Sequence, residues 1–401
     1  MVRPVHGGNL AWAAQLACCP PDELLDFSAS ISPLGPPASV LQAIQAAFSS
    51  MVAYPDPAYS KLSSAIAQHH QIPIDYILPG NGAAELLNWA ARDLATQTRC
   101  FCLSPGFSDY DRALKAFGGT LSPIPLFNSQ GQYMANWENI EDWENTEDWE
   151  TALQKSEDPH KDLSQCGFLL NNPHNPTGAL FTREKVRSLI PRFAQVVVDE
   201  AFMDFLPAER EQSVIDWVCE FPNLVVIRSL TKFYTLPGLR LGYAIAHPQT
   251  LQRWQQWRDA WPVNTLAAAA GIAALKDRAF AQRTWEWVMA ESDYLFQALQ
   301  RLPGLTPLPS CANFFLVRCD RSATALQLQL LQRHQVYIRD CISFAELGDR
   351  YFRVAVKTRT DNQRLLQALA DVLPTLDLLP TLDLLPTDLL TPLAAEKHDV
   401  G

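Results

Sequence analysis

The chain has 401 residues, 48% hydrophobic and 19% charged, which excludes a mostly disordered or collagen-like polymer and allows two or three globular domains. Its net charge of −11 is concentrated in residues 137–150, with seven acids and no base, and residues 371–401, with six acids and one base; the remainder is near neutral, which excludes a basic face for nucleic acid or a membrane surface. No apolar run approaches the roughly 20 residues of a membrane span, Met1–Leu10 lacks the pattern of a secretory signal, and nine cysteines without a C-x-x-C pair point to a reducing cytoplasm rather than to disulfides or zinc.

Along the chain, Val40, Leu41, Ile44 and Phe48 fall at helical spacing. The turn Pro79-Gly80-Asn81 precedes a helix expected over Gly82–Leu94. Cys100–Leu103 is a short apolar run ending at Ser104-Pro105-Gly106. Trp137, Trp143 and Trp149 mark an acidic repeat of period six, expected to be an insertion over 137–162. Gly167–Leu170 runs into Asn171-Asn172-Pro173, Val196–Val198 ends at Asp199, and Leu224–Ile227 ends at Arg228-Ser229. Beyond Leu373 a second repeat carries Pro374, Pro380 and Pro386, which block a continuous helix, so a loosely packed tail is expected. Both repeats read as duplicated surface segments, with partner docking through the spaced Trp and Leu side chains the other reading. Short apolar runs ended by polar loops and separated by helices predict an α/β fold of buried parallel strands. Such sheets bind ligands beyond the carboxyl ends of their strands.

The loops at those ends carry the unusual residues. Lys232 follows a strand in Ser229-Leu230-Thr231-Lys232, and Arg240 comes eight residues later. A lysine in a buried loop can lose its proton and attack carbonyls; a solvated surface lysine is the plainer reading. Asp199 closes a strand of valines and needs a cation or donors there, or it is a helix cap or internal ion-pair member. Gly80-Asn81-Gly82-Ala83 opens a helix whose free N–H groups suit a phosphate, or it is a simple turn. Asn175, in Asn175-Pro176-Thr177-Gly178, can offer an amide donor or merely shape its loop. Taken together, a lysine, an acid, a helix-start phosphate site and an arginine are the equipment for pyridoxal phosphate: the lysine anchors it covalently, and the acid pairs with its ring nitrogen.

In this order the motifs resemble the fold-type I, aspartate-aminotransferase-like pyridoxal phosphate enzymes over about residues 1–372. That resemblance implies a large domain with a mostly parallel seven-stranded sheet between helices, and a smaller α+β domain built from both termini. The boundaries fall at an N-terminal arm 1–45, a cofactor domain 46–262, a small domain 263–372 and a tail 373–401. It implies Lys232 as the cofactor lysine, Asp199 as the ring-nitrogen partner, and Asn175 as donor to the ring oxygen. Gly82, Ala83, Ser229 and Arg240 hold the phosphate, and Phe107 stacks on the ring, with Tyr110 the second choice. The resemblance further implies that Tyr54 reaches the phosphate of a neighbouring subunit and that the protein is a homodimer with composite sites. Within the superfamily, His6-Gly7-Gly8-Asn9, Asp26-Phe27-Ser28-Ala29 and Pro33-Leu34-Gly35-Pro36 resemble the L-threonine O-3-phosphate decarboxylases of cobalamin synthesis. This implies His6 and Arg339 for the substrate phosphate and Arg353 for its carboxylate. Three features depart from the family. Ser30-Ile31-Ser32 replaces an Asn-Ile-Asn run, leaving Ser32 as a shorter substrate contact. Phe202 stands where many aminotransferases have tyrosine, so Asn175 must serve the ring oxygen alone. The acidic insertion and the leucine-rich tail are the third. The rival readings are a histidinol-phosphate aminotransferase, and a cofactor-sensing regulator, whose additional DNA-binding domain has no room before a fold that begins close to Met1.

Overall fold

The computed structural model describes residues 3–126, 162–344 and 346–376. The acidic repeat and the tail beyond residue 376 lie outside the described residues, and with them the expectations placed on those segments.

Seven strands form the central sheet in the spatial order Ile77–Asn81, Leu241–Ala246, Leu224–Ser229, Gln195–Asp199, Gly167–Asn171, Cys100–Ser104, Leu121–Pro125. Leu241–Ala246 runs antiparallel to both of its neighbours, and the other pairings are parallel. The four apolar runs legible in the sequence supply its middle. They are uninterrupted because both faces are covered: Phe168, Leu170, Val196, Val198 and Val226 feed one core, while Leu169, Val197, Val225 and Ile227 feed the other. One expectation needs correction. Pro79-Gly80-Asn81 is not a turn but the end of the strand Ile77–Asn81, which lies at the sheet edge, where a residue without an N–H is tolerated. The apolar stripe of helix Ala38–Ala47 is only partly internal: Val40 is fully buried, whereas Leu41 is 54% exposed.

A four-stranded antiparallel sheet orders Arg339–Asp340, Tyr351–Ala355, Phe314–Cys319 and Leu305–Pro307. Its alternation splits the side chains. Phe315, Val317, Phe352 and Val354 pack with Leu295, Leu326 and Leu365 of the covering helices, while Phe314 and Leu316 join the core of the large sheet. Leu25–Asp26 pairs in parallel with Val336–Tyr337, and Ala355 N–H donates to Phe27 O at 2.9 Å. The N-terminal segment is thereby held against this smaller sheet. Leu373 and Leu376 are buried in the same core, so the tail begins packed rather than loose.

Candidate active site

Parallel strands aim their carboxyl ends at one side of the sheet, and the chemistry-bearing residues collect there. Asp199 is the last residue of its strand, Ser229 ends the next, and Asn175 follows the third. Between them and the smaller sheet lies a cavity of about 240 Å³, lined by His6, Phe107, Tyr110, Asn175, Asp199, Lys232, Arg339 and Arg353 among others.

Lys232 Nζ donates to Ser229 Oγ at 3.3 Å and to Thr231 Oγ1 at 3.4 Å. Burial pushes its pKa down to about 8; Asp199 opposes that shift, and the Arg240 and Arg353 charges reinforce it. Asp199 accepts from Tyr110 OH at 2.8 Å and from the Ala201 N–H at 3.0 Å. Burial raises the acid, the Lys232 charge and these two donors lower it, and the net direction is upward. An acid held this way favours a cationic ring nitrogen beside it. Asn175 accepts from Arg353 Nη1 through Oδ1, so its amide N–H groups remain to donate. Tyr110 is therefore tied to the acid, leaving Phe107 as the less constrained aromatic of the pair, its ring 5.5 Å from that of Tyr110.

A phosphate cradle adjoins the cavity. The Asn81 side chain does not cap helix Gly82–Leu94, and Glu85 Oε2 accepts only the Asn81 N–H, at 2.6 Å, so the helix start beyond it suits an anion. Gly82 has φ +74°, and a Cβ there would lie 2.7 Å from Arg240 Nη2. The absent side chain is what admits the guanidinium to the helix start. The helix start, acid, amide and lysine together fit pyridoxal phosphate.

The side of the cavity facing the smaller sheet carries two arginines. Arg339 and Arg353 are direct cross-strand partners, an arrangement that disfavours like charges unless an anion intervenes. Arg353 also donates to Ser28 O at 3.3 Å; its Nε has no acceptor, and burial pulls its pKa down to about 10. Arg339 is 5% exposed and donates to Val5 O and, at 2.6 Å, to Ser343 Oγ. His6 Nε2 lies 3.4 Å from Asp109 Oδ1, and its ring is 5.5 Å from that of Phe107. The Asp109 carboxyl is pulled down to about 2 by the bond from His6 and by Arg112.

One expected contact is not brought to the cavity. Ser32 is buried, with its N–H on Lys232 O at 3.0 Å and its Oγ accepting from Leu34 N–H, and it does not line the space. Ser30 does line it, and its buried Oγ has no hydrogen-bond partner. The bond from Ile31 N–H to Ala29 O, 2.9 Å, bends the segment so that the first serine, not the second, faces the cavity. Tyr54 is 79% exposed and stacked on Trp261 at 4.4 Å, outside the cavity of its own chain. Sequence reasoning also passed over Asn171, which receives the Asn175 N–H at 2.7 Å and donates to Asp199 O at 2.8 Å. The Asn171-Asn172 pair at a strand end was the available signal.

Residues 22–369 match the family model described as aminotransferase class I and II. The threonine-phosphate decarboxylase of Salmonella typhimurium is 39% identical over 93% of this chain and 98% of its own. The adenosylcobalamin biosynthesis bifunctional protein CobDQ of Leptospira interrogans is 28% identical over 93% of this chain and 41% of its own. The crystal structure of the histidinol-phosphate aminotransferase from Clostridium acetobutylicum superposes with a TM-score of 0.75 at 26% identity, covering 88% of this chain and 100% of that one.

Proposed function

The chain belongs to the class I and II aminotransferase family, and we propose that within it the protein is the pyridoxal-phosphate-dependent enzyme that decarboxylates L-threonine O-3-phosphate to (R)-1-amino-2-propanol O-2-phosphate and carbon dioxide, a step of cobalamin biosynthesis in the cytoplasm. The observation that carries this reading is the cross-strand pair of Arg339 and Arg353 facing the cavity that holds Lys232. Two guanidinium groups side by side suit one small substrate with two anionic ends. The 39% identity to a threonine-phosphate decarboxylase over nearly the whole of both chains supports the same reading.

The residues divide the work. Gly82, Ala83, Ser229 and Arg240 hold the cofactor phosphate, Asp199 its ring nitrogen and Asn175 its ring oxygen, while Phe107 packs on the ring. When bound, pyridoxal phosphate supplies an electron sink for the pair released when the Cα bond perpendicular to its ring breaks. Arg353 grips the carboxylate; Arg339, His6 and Ser30 grip the phosphate, so both ends of the substrate are fixed and with them its rotation. The Cα–carboxylate bond breaks, carbon dioxide leaves, and Lys232 returns a proton to Cα.

The active unit in this reading is a homodimer, with Tyr54 reaching the neighbouring cofactor phosphate. Met51, Val52, Tyr54 and Trp261 form an exposed apolar surface, Val52 being 93% exposed. A second copy would cover it. Residues 46–262 serve as the cofactor domain, and 263–372 with the N-terminal arm as the small one.

The test is to incubate the enzyme with L-threonine O-3-phosphate labelled in the carboxylate, with and without 2-oxoglutarate. Label released at the same rate in both supports decarboxylation. Release of glutamate that depends on 2-oxoglutarate, with label retained, replaces it with the aminotransferase reading.

A further inference from the structure

Arg353 is half-buried, and among the described residues no carboxylate bonds to its guanidinium; Asp26 acts on it only from a distance. Something else must offset its charge. Phe314 begins the strand next to that of Arg353. Leu316 is the direct cross-strand partner of Arg353, which places Phe314 on the diagonal of the same face. Its ring is completely buried, and the Arg353 Cζ lies 4.8 Å from the ring centroid. Phe314 does not line the cavity. Its other neighbour is Phe202, edge-on at 5.0 Å, and Lys232 Nζ stands 5.3 Å from the Phe202 centroid. Each of the two cations of the site thus has its own ring beside it, and the two rings touch edge to face.

We propose that Phe314 is a positioning residue: its π face holds the Arg353 guanidinium in the orientation that receives the substrate carboxylate. The inference rests on the reading of Arg353 given above. Of the five guanidinium donors, one goes to Asn175 Oδ1 and one to Ser28 O, while Nε has no partner. A planar cation tied at two nitrogens still rocks about that line. A ring with its face 4.8 Å from Cζ limits that rocking, and its negative face offsets the charge without competing for donors as an acid would. An acidic residue in that place would occupy the fork meant for substrate. The aromatic underlay therefore keeps Arg353 both ordered and vacant. Because the carboxylate grip decides which Cα bond is presented for cleavage, loss of the ring face should loosen fidelity as well as binding.

The experiment compares two ligands of the holoenzyme by the change in cofactor absorbance on binding: L-threonine O-3-phosphate, and O-phosphoethanolamine, which keeps the amine and phosphate but lacks the carboxylate. Phe314→Leu should weaken the first roughly tenfold, about 1.4 kcal/mol, leave the second unchanged within about twofold, and increase the fraction of cofactor converted to the pyridoxamine form per turnover. Phe314→Tyr, which retains the ring face, should restore the first affinity. Should Phe314→Leu fail to fold, ring-fluorinated phenylalanine at position 314 keeps the shape while draining the face of charge, and affinity for the carboxylated ligand should fall stepwise with each fluorine. Equal losses for both ligands, or no response to fluorination, overturn the proposal. Failure of the wild-type enzyme to release carbon dioxide, with its preference for the carboxylated ligand intact, would instead count against the decarboxylase reading alone.

Discussion

Replacing Arg339 by alanine separates the two anionic ends of the substrate. In the structure Arg339 already spends donors on Val5 O, on Ser343 Oγ and on Asp340 Oδ1 at 3.3 Å. Its Nε–H and one Nη1–H remain, and either can reach a phosphate in a nearly closed setting. Charge-assisted contacts of desolvated arginines are worth about 2–5 kcal/mol. Two remaining donors place Arg339 at the lower end, about 2–3 kcal/mol, or roughly a 30- to 150-fold loss in kcat/KM. Unphosphorylated L-threonine never makes this contact, so its kcat/KM should move by less than about twofold. Arg353→Ala should depress both substrates, because both carry the carboxylate. The assay is steady-state release of carbon dioxide from each substrate with each variant. Equal losses on the two substrates for Arg339→Ala would refute the phosphate assignment, and with it the main reason to choose a decarboxylase over a general aminotransferase.

Uptake of cofactor by the apoenzyme requires Lys232 without its proton. With a pKa lowered to about 8, the rate should climb with pH about tenfold per unit below that value and level off above it; a rate still climbing beyond pH 9.5 would mean an ordinary, solvated lysine. Ser30→Ala should raise KM for threonine phosphate by roughly 5- to 10-fold at no cost in stability, since its hydroxyl is unpartnered within the protein, whereas Ser32→Ala should leave KM alone; the reverse ranking in kinetics would restore Ser32. Arg228 is buried against Glu200 at 2.8 Å, Asp204 and Glu211 at 2.7 Å, so Arg228→Met should cost about 3–5 kcal/mol, seen as a lower urea midpoint, with partial recovery when Glu200→Leu is added; an unchanged midpoint would show those charges to be solvated. Mixing Lys232→Ala and Tyr54→Phe protomers should restore activity through one intact composite site, and no recovery under proven subunit exchange would count against a shared site.

The parts of the fold legible in the sequence are those where burial is uniform. Val196–Val198 and Leu224–Ile227 read as strands because both faces are covered, so no polar residue interrupts them. The edge strand Ile77–Asn81 was illegible for the opposite reason: it pairs on one side only, and Pro79-Gly80 reads locally as a turn. Of the residues proposed to hold the cofactor, Asp199, Ser229 and Gly82 were legible because each ends a strand or opens a helix. The substrate residues depended on long-range geometry. That Arg339 and Arg353 stand opposite one another follows from the register of a two-residue strand, which carries no periodic signal. The choice between Ser30 and Ser32 turned on a single bend at Ala29–Ile31.

The central claim is that the carboxylate, rather than the Cα proton or the phosphate, is what leaves. A phosphorus-31 magnetic resonance time course of the holoenzyme with L-threonine O-3-phosphate and no amino acceptor tests it directly. The account predicts conversion of the substrate signal into a single phosphomonoester, 1-amino-2-propanol O-2-phosphate, mole for mole with the carbon dioxide released. Accumulation of inorganic phosphate, or a substrate signal that stays unchanged until 2-oxoglutarate is added, would contradict it.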